Sequence, residues 1–223
     1  MTGHSAAAFG LISVVLGASP ATADIIAPLL PKGECEIGAR WRNIDRTLYY
    51  ETSTTEIDAN DASVVVRYGL TSNATFAAEV MVGPGDIISE EKVERFYTVG
   101  ASLRTLIWSK DALVVSSGIH YVNSYLRRQP TTCDRETQTI DWELLGEWST
   151  TRGSHLLTVW AGPIVSHFSF TNQGPCEEDY WTPADMFGAT LGVTAVFWHK
   201  LVVDGSFVWT ENPEPRLGLA YRF

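Results

Sequence analysis

The chain has 223 residues, of which 45% are hydrophobic and 11% aromatic, and it carries a formal net charge of −10 at pH 7. This length suits one domain, and the acidic balance disfavours a nucleic-acid partner, which requires a basic surface. After the first residues, no stretch reaches the roughly 20 apolar residues of a spanning helix; the nearest, Met186 to Trp198, is interrupted by Gly and Thr.

The N-terminal residues have the pattern of an export signal. An apolar stretch runs from Ala6 to Ala18, and an A-x-A site at residues 21–23 lies immediately before Asp24. An apolar stretch followed by such a site is typical of a cleaved signal peptide. A buried N-terminal helix is the alternative interpretation. We expect residues 1–23 to be removed and residues 24–223 to form one domain.

In the remaining sequence, polar breaks separate short apolar segments, as in an all-β protein. Short polar breaks at 71–73, 109–111, 150–153 and 199–200 alternate with longer polar segments at about 52–61, 84–92, 127–136, 171–185 and 211–214. The segments between these breaks predict ten strands, at about 36–51, 62–70, 74–82, 93–108, 112–126, 137–149, 154–170, 186–198, 201–210 and 215–223. Alternating short and long connections and an even strand number are typical of outer-membrane barrels. We therefore expect an antiparallel up-and-down transmembrane β-barrel, with a secreted or periplasmic sandwich as the alternative.

The first predicted strand has a change of parity. Ile37 and Trp41 share one face of an extended chain, whereas Ile44 and Leu48 share the other. A bulge near Asn43 accounts for the change, and two separate strands are the alternative.

Aromatic residues of the predicted strands fall at two heights. Rings of this kind prefer the membrane–water interface, so two levels of them predict two girdles. The predicted periplasmic girdle contains Trp41, Tyr68, Trp108, Trp148, Trp198, Tyr221 and Phe223. The predicted outer girdle contains Tyr50, Tyr97, Tyr125, Trp142, Phe170, Phe187 and Trp209.

The chain ends in the alternating octapeptide RLGLAYRF. Leu217, Leu219, Tyr221 and Phe223 share one face of it. This ending resembles the C-terminal signal of Gram-negative outer-membrane β-barrels, and the resemblance implies recognition by the barrel assembly machinery. The segment VVVRYGLTSNATFAAEV at 64–80 is similar to hairpins of small outer-membrane transport proteins of the phenol-degradation type. Together these resemblances imply a small porin-like or transporter-like barrel in the outer membrane.

If the apolar parity faces lipid, the opposite parity lines the lumen. The inward charges are then Arg40, Arg42, Arg67, Arg104, Arg216 and Arg222 against Glu79, Glu94, Asp141, Glu143, Glu147 and Asp204. Barrel closure brings the first and last strands together, which places most of the arginines on one wall opposite Asp141, Glu143 and Glu147. Charged walls set pore selectivity, whereas an ion-pair plug is the alternative because isolated charges in a narrow lumen are unfavourable.

Small residues on three strands favour a narrow conduit over a packed plug, because they leave space beside the charged walls. The predicted small or polar lumen positions are Thr98, Gly100, Ser102, Ser116, Gly118, Gly188, Thr190, Gly192 and Thr194. Ten strands nevertheless lie near the filled end of the size range, since about sixteen are needed for a wide channel.

The predicted outer loops and their edges carry the excess negative charge. Fifteen acidic residues stand against four basic ones. The acids are Glu51, Glu56, Asp58, Asp61, Asp86, Glu90, Glu91, Asp134, Glu136, Glu177, Glu178, Asp179, Asp185, Glu211 and Glu214. Such loops attract cations or bridge through divalent ions to lipopolysaccharide, and their plainer role is solubility. A closed barrel that acts through these loops is the alternative to a conduit for small solutes.

The cysteine and histidine residues predict a disulfide but no metal site or catalytic site. Cys133 and Cys176 fall in two predicted outer loops, and export through an oxidising compartment favours a disulfide between them; Cys35 is left over. No C-x-x-C or Cys/His spacing indicates a zinc site, and the sequence predicts no cofactor. His120 and Ser124 share a strand face but lie about 13 Å apart, from the rise per residue. This separation disfavours an outer-membrane hydrolase, which is the second alternative.

Overall fold

A computed structural model describes residues 29–50, 53–83, 86–87, 93–128, 134–173, 181–209 and 213–223. Its strands are β1 (Cys35–Tyr50), β2 (Ser53–Thr71), β3 (Ala74–Gly83), β4 (Asp86–Ile87), β5 (Val93–Lys110), β6 (Leu113–Arg128), β7 (Asp134–Arg152), β8 (His155–Gln173), β9 (Trp181–Phe197), β10 (Leu201–Trp209) and β11 (Pro213–Arg222). The strand β4 has two residues and pairs only with β2. The other ten are the predicted strands, and their existence is confirmed.

The ten long strands form one closed antiparallel barrel. Each strand pairs with its neighbour in the chain, and β1 pairs with both β2 and β11. At this closing seam, Glu36 lies opposite Arg222 and Arg42 lies opposite Arg216. Closure gives every long strand a partner on each side in the body of the barrel. The β1–β2 hairpin extends beyond this closed part, since β1 pairs with β11 only as far as Arg42 and β2 pairs with β3 only from Ser63. The predicted up-and-down barrel is confirmed.

Four connections at one end of the barrel are tight turns, at residues 72–73, 111–112, 153–154 and 198–200. Gly153 and Asp111 have positive φ values of 62° and 53°, as tight turns between strands require. The first described residues and Phe223 lie at this end too, because the Phe223 amide donates to the Cys35 carbonyl at 2.8 Å. We call this end the turn end and the opposite end the loop end. The turn positions match the predicted breaks.

The prediction of a bulge near Asn43 is wrong. β1 pairs with β2 without a register shift, with Asn43 opposite Asn60 and Tyr50 opposite Ser53. The predicted loop at 52–61 is wrong for the same reason, since β2 begins at Ser53. The β1–β2 ladder itself holds this hairpin together, so its pairing does not depend on a regular alternation of side chains.

Several acids that were predicted in loops or at loop edges lie in strands instead. Glu56, Asp58 and Asp61 belong to β2, and Asp86 to β4. Asp134 and Glu136 belong to β7, Asp185 to β9 and Glu214 to β11. A polar segment at the end of a tilted strand has the composition of a loop, and composition does not reveal the pairing that extends the strand.

Other predictions lie outside the described residues. These are the signal peptide at 1–23, the disulfide of Cys133 with Cys176, and the loop acids Glu51, Glu90, Glu91, Glu177, Glu178, Asp179 and Glu211. Within the part of the chain that the structure describes, no helix is both long enough and apolar enough to cross a membrane.

Candidate functional site

Alternation along the strands gives the barrel an apolar outside and a polar inside. β10 illustrates this most simply, because Asp204 and Ser206 are buried while Phe207 and Trp209 are exposed. Exposed apolar side chains continue around the barrel on every long strand described. An outward apolar belt around a closed barrel is the architecture of an outer-membrane β-barrel.

The aromatic rings that the sequence assigns to two girdles face outward wherever their side chains are described. Of the predicted periplasmic girdle, Trp41, Tyr68, Trp108, Trp148, Trp198, Tyr221 and Phe223 are all exposed. Toward the loop end, Tyr97, Tyr125, Trp142, Phe187 and Trp209 are exposed. The side chains of Tyr50 and Phe170 lie outside the described residues. Trp160 differs from these rings, because its side chain is buried inside the barrel.

The charged residues predicted to line the lumen are placed inside wherever their side chains are described. Arg42 and Arg222 are half-buried, and the side chain of Glu94 is not among those described. The buried members are Arg40, Arg67, Arg104, Arg216, Glu79, Asp141, Glu143, Glu147 and Asp204. The lumen is therefore polar along the described height of the barrel.

Two further acids, Glu36 and Glu214, change the charge pattern of the lumen. Both are 1% exposed. Glu36 accepts from Arg67 at 2.5 Å and from Arg222 at 2.7 Å, and Glu214 accepts from Arg216 at 3.1 Å. The predicted wall of arginines is thus interleaved with carboxylates. The expected field between two walls of opposite sign is replaced by local ion pairs within one wall.

Another ion pair crosses the lumen side of β5, β6 and β7. Arg104 donates from Nη2 to Glu147 at 2.7 Å and from Nε to the Ser116 hydroxyl at 2.9 Å. That hydroxyl donates in turn to the same Glu147 oxygen at 2.8 Å. The three side chains form a closed polar triangle, so Glu147 on the predicted acidic wall is neutralised locally by Arg104.

Large side chains fill spaces that small residues were predicted to leave open. Trp160 lies directly over Gly192, and its Nε1 donates to the Thr194 hydroxyl at 3.4 Å. Asp204 occupies the space in front of Gly218, a glycine outside the predicted set. The prediction that lumen glycines leave room is wrong at residue 192, because a cross-strand neighbour fills it. Trp160 forms a small apolar cluster inside the lumen with the buried Leu145.

Buried polar side chains, His120 among them, line the lumen toward the loop end. The His120 Nε2 lies 3.8 Å from a Glu143 oxygen, and the Ser166 hydroxyl donates to Asp141. The Ser124 oxygen is 2.7 Å from the Thr98 oxygen. In the described part of the chain, no cluster of three or more His, Cys, Asp or Glu side chains is positioned to hold a metal ion.

The first described residues fold against the turn end of the lumen. Leu30 is 1% exposed, and its backbone amide donates to the Thr75 hydroxyl at 2.8 Å. Thr75 faces the lumen from β3 and is itself buried. No sequence pattern predicts this contact, because a Leu-Leu-Pro segment before a strand can dock in many ways.

The C-terminal residues predicted as the assembly signal all face outward. Leu217, Leu219, Tyr221 and Phe223 are exposed. The Tyr221 and Phe223 rings pack edge to face, with centroids 5.0 Å apart. Their role in assembly stays a prediction.

No family model and no curated protein matches this chain. Among solved structures, it is similar to the translocator domain of the autotransporter NalP from Neisseria meningitidis, with 13% identity and a TM-score of 0.47 over 98% of this chain and 94% of that one. It is similar to an outer membrane channel from Pseudomonas putida F1, with 11% identity and a TM-score of 0.45. The match covers 89% of this chain and 99% of that one. It is also similar to the attachment invasion locus protein Ail of Yersinia pestis, with 12% identity and a TM-score of 0.29. The match covers 86% of this chain and 99% of that one. These values are too low to transfer a function to this chain.

Proposed function

We propose that the protein is a narrow conduit for small hydrated solutes in the outer membrane of a Gram-negative bacterium, and that the described arrangement is its shut form. The observation that carries this proposal is the polar lining of the lumen. Arginines, carboxylates and hydroxyls are buried there from Glu36 near the turn end to Asp141 and Ser166 toward the loop end. Ionisable groups inside a membrane protein mark pathways for ions and solutes.

A purely structural core has little use for this chemistry. Buried ion pairs stabilise a fold no better than well-packed apolar side chains do, and they are often less favourable. The lumen nevertheless holds the Arg104–Glu147 pair and the Glu36 pairs with Arg67 and Arg222. A lumen that carries water and solutes needs polar groups, even though an apolar core would be more stable. Acids near the loop end, including Asp141 and Glu143, favour cations, among them divalent ions.

A second candidate is a closed barrel that acts through its loop-end surface. The filling of the lumen by Trp160, Leu145 and the Arg104–Glu147 pair favours it. In this candidate, acidic groups at the loop end contact lipopolysaccharide, directly or through divalent cations. For both candidates we infer assembly by the barrel assembly machinery through the C-terminal strand. We propose no enzymatic activity, because the Ser124 hydroxyl is bonded to Thr98 and not to a neighbouring base.

Planar-bilayer recording of purified protein tests the conduit. We expect rare, small, salt-dependent steps for wild type and larger steps for the double variant Arg40→Ala/Arg42→Ala, which removes bulk and positive charge from the lumen. Arg152→Ala is the matched control, because Arg152 is exposed at the end of β7 and should leave the steps unchanged. Asp141→Asn with Glu143→Gln should weaken a preference for cations. Silence of wild type, of the Arg40/Arg42 variant and of Trp160→Ala, which removes the indole from the lumen, would contradict the conduit and leave the closed barrel.

A further inference from the structure

Residues 29–34, which we call the strap, cross the turn end of the barrel before β1 begins. Three observations place Leu30 of the strap inside the lumen. Its side chain is buried, and its amide donates to the lumen-facing Thr75 hydroxyl. In addition, a Cβ atom added at the lumen-facing Gly69 would collide with the carbonyl of Pro31 and approach that of Leu30 to 2.9 Å. The strap therefore enters the mouth of the barrel and does not merely lie on its rim.

Backbone hydrogen bonds hold the strap to β2. The Gly33 amide donates to the Gly69 carbonyl at 2.8 Å, and the Gly69 amide donates to the Glu34 carbonyl at 3.0 Å. A further bond from the Glu34 amide to the Pro31 carbonyl, at 3.1 Å, closes a turn. Gly33 has a φ of +86° in this turn, a value that favours glycine. The pairing with Gly69 is thus a specific docking geometry.

An ion pair connects the strap to the closing seam. A Glu34 carboxylate oxygen lies 3.6 Å from Nε of Arg222 in β11. Arg222 also binds Glu36, which in turn binds Arg67. The strap consequently touches β2, β3 and β11, three strands around the mouth, while Pro31, Lys32 and Gly33 remain exposed.

We propose that the strap is a releasable stopper that closes the turn-end mouth of the lumen, with Leu30 as the plug; this inference rests on the proposed conduit. The lumen behind Leu30 is lined by charged groups, including Arg67 and Arg104. An apolar side chain over this layer keeps ions and water from the mouth. The strap is held by a few hydrogen bonds and one partly exposed ion pair. Such a segment opens locally at a far smaller free energy than the barrel strands do.

Thiol labelling tests whether the strap is docked. Leu30→Cys is prepared in a background with Cys35→Ser, Cys133→Ser and Cys176→Ser, and is treated with a membrane-impermeant maleimide. We expect slow labelling, whereas Lys32→Cys, at an exposed strap position, should label rapidly. Adding Gly69→Val should speed labelling at residue 30 by roughly tenfold or more, because the valine displaces Pro31 and shifts the local opening equilibrium. Rapid labelling of Leu30→Cys without Gly69→Val would overturn the stopper.

The matched control for Gly69→Val is Gly146→Val. Gly146 also lies within a strand, but a Cβ atom there meets nothing closer than the Ala161 carbonyl at 3.8 Å. This variant should leave labelling at residue 30 unchanged. Leu30→Ser is a second release variant for the bilayer recording only; it replaces the apolar plug by a small polar side chain without altering a strand.

Bilayer recording of the same variants tests closure of the mouth. Gly69→Val and Leu30→Ser should increase the frequency of open steps severalfold, and Gly146→Val should not. Faster labelling with no change in conductance would overturn the stopper. Trp160→Ala is recorded in parallel. It distinguishes failure of the stopper alone from failure of the proposed conduit. If Trp160→Ala conducts while the strap variants stay silent, the conduit stands and the stopper fails; silence of all variants removes both.

Discussion

The Trp160 indole lies over Gly192, its cross-strand neighbour, and occupies the space that any side chain at residue 192 would need. We expect Gly192→Val to destabilise the barrel by about 1–3 kcal/mol, the usual effect of overpacking a filled interior. Adding Trp160→Ala should recover much of this loss, because the valine then has room. Urea unfolding in detergent, followed by gel mobility without heating, measures both effects.

Gly146→Val is the control for this pair, since residue 146 has open space around a new Cβ atom. Equal destabilisation by Gly146→Val and Gly192→Val would show that the loss of glycine, and not the displacement of Trp160, is responsible.

Removal of one partner from the Arg104–Glu147 pair should be severe. Both side chains are 2% exposed. Glu147→Leu leaves a buried guanidinium without its carboxylate, so we expect a loss of about 3–5 kcal/mol in unfolding free energy. The double variant Arg104→Met/Glu147→Leu should be much closer to wild type, because both charges are removed together. A double variant as unstable as Glu147→Leu would contradict this account of the pair.

Deletion of Phe223 should reduce insertion strongly. The residue is exposed beside Tyr221 at the end of the closing strand, and its amide pairs with Cys35 across the seam. The folded, heat-modifiable form in outer-membrane fractions measures the effect. Phe223→Trp keeps an interfacial aromatic ring and should restore a near-normal yield. A normal yield after deletion would count against an assembly role for the tail.

Cys133 and Cys176 remain predicted to form a disulfide. Mass spectrometry of peptides from non-reduced, exported protein should find the two residues in one linked species, because the oxidising compartment favours pairing. Free thiols at both positions would refute the bridge.

Most of the fold prediction came from two features: the positions of the tight turns and the alternation of side chains along each strand. The breaks near residues 72, 111, 153 and 199 match the four tight turns, and parity assigned Arg67, Arg104 and Glu147 to the inside. These features are local, because a tight turn and a period of two are properties of neighbouring residues. An even number of such strands favours a closed barrel over a sandwich, and the pairing of β1 with β11 shows the closure.

Features that depend on register were missed. Glu36 has the parity of Arg40 and was open to prediction from it, but its bonds to Arg67 and Arg222 require the alignment of three strands. Glu214 lies between Pro213 and Pro215, and two prolines so close together are typical of a loop. The structure nevertheless includes all three residues in β11. Trp160 is indistinguishable by type from a girdle aromatic. Its parity along β8, shared with the buried Thr158 and Ser166, places it inside, and its pairing with Gly192 shows which space it fills.

Single-channel recording of Trp160→Ala beside wild type tests the central claim, a polar conduit held shut by its own side chains, most directly. Removal of the indole empties the space over Gly192 while leaving the ion pairs of the lumen in place. The variant should show frequent, salt-dependent steps that wild type shows only rarely. Trp148→Ala, which removes an exposed girdle ring, should behave as wild type does. A Trp160→Ala barrel that folds, inserts and stays as silent as wild type would contradict the account.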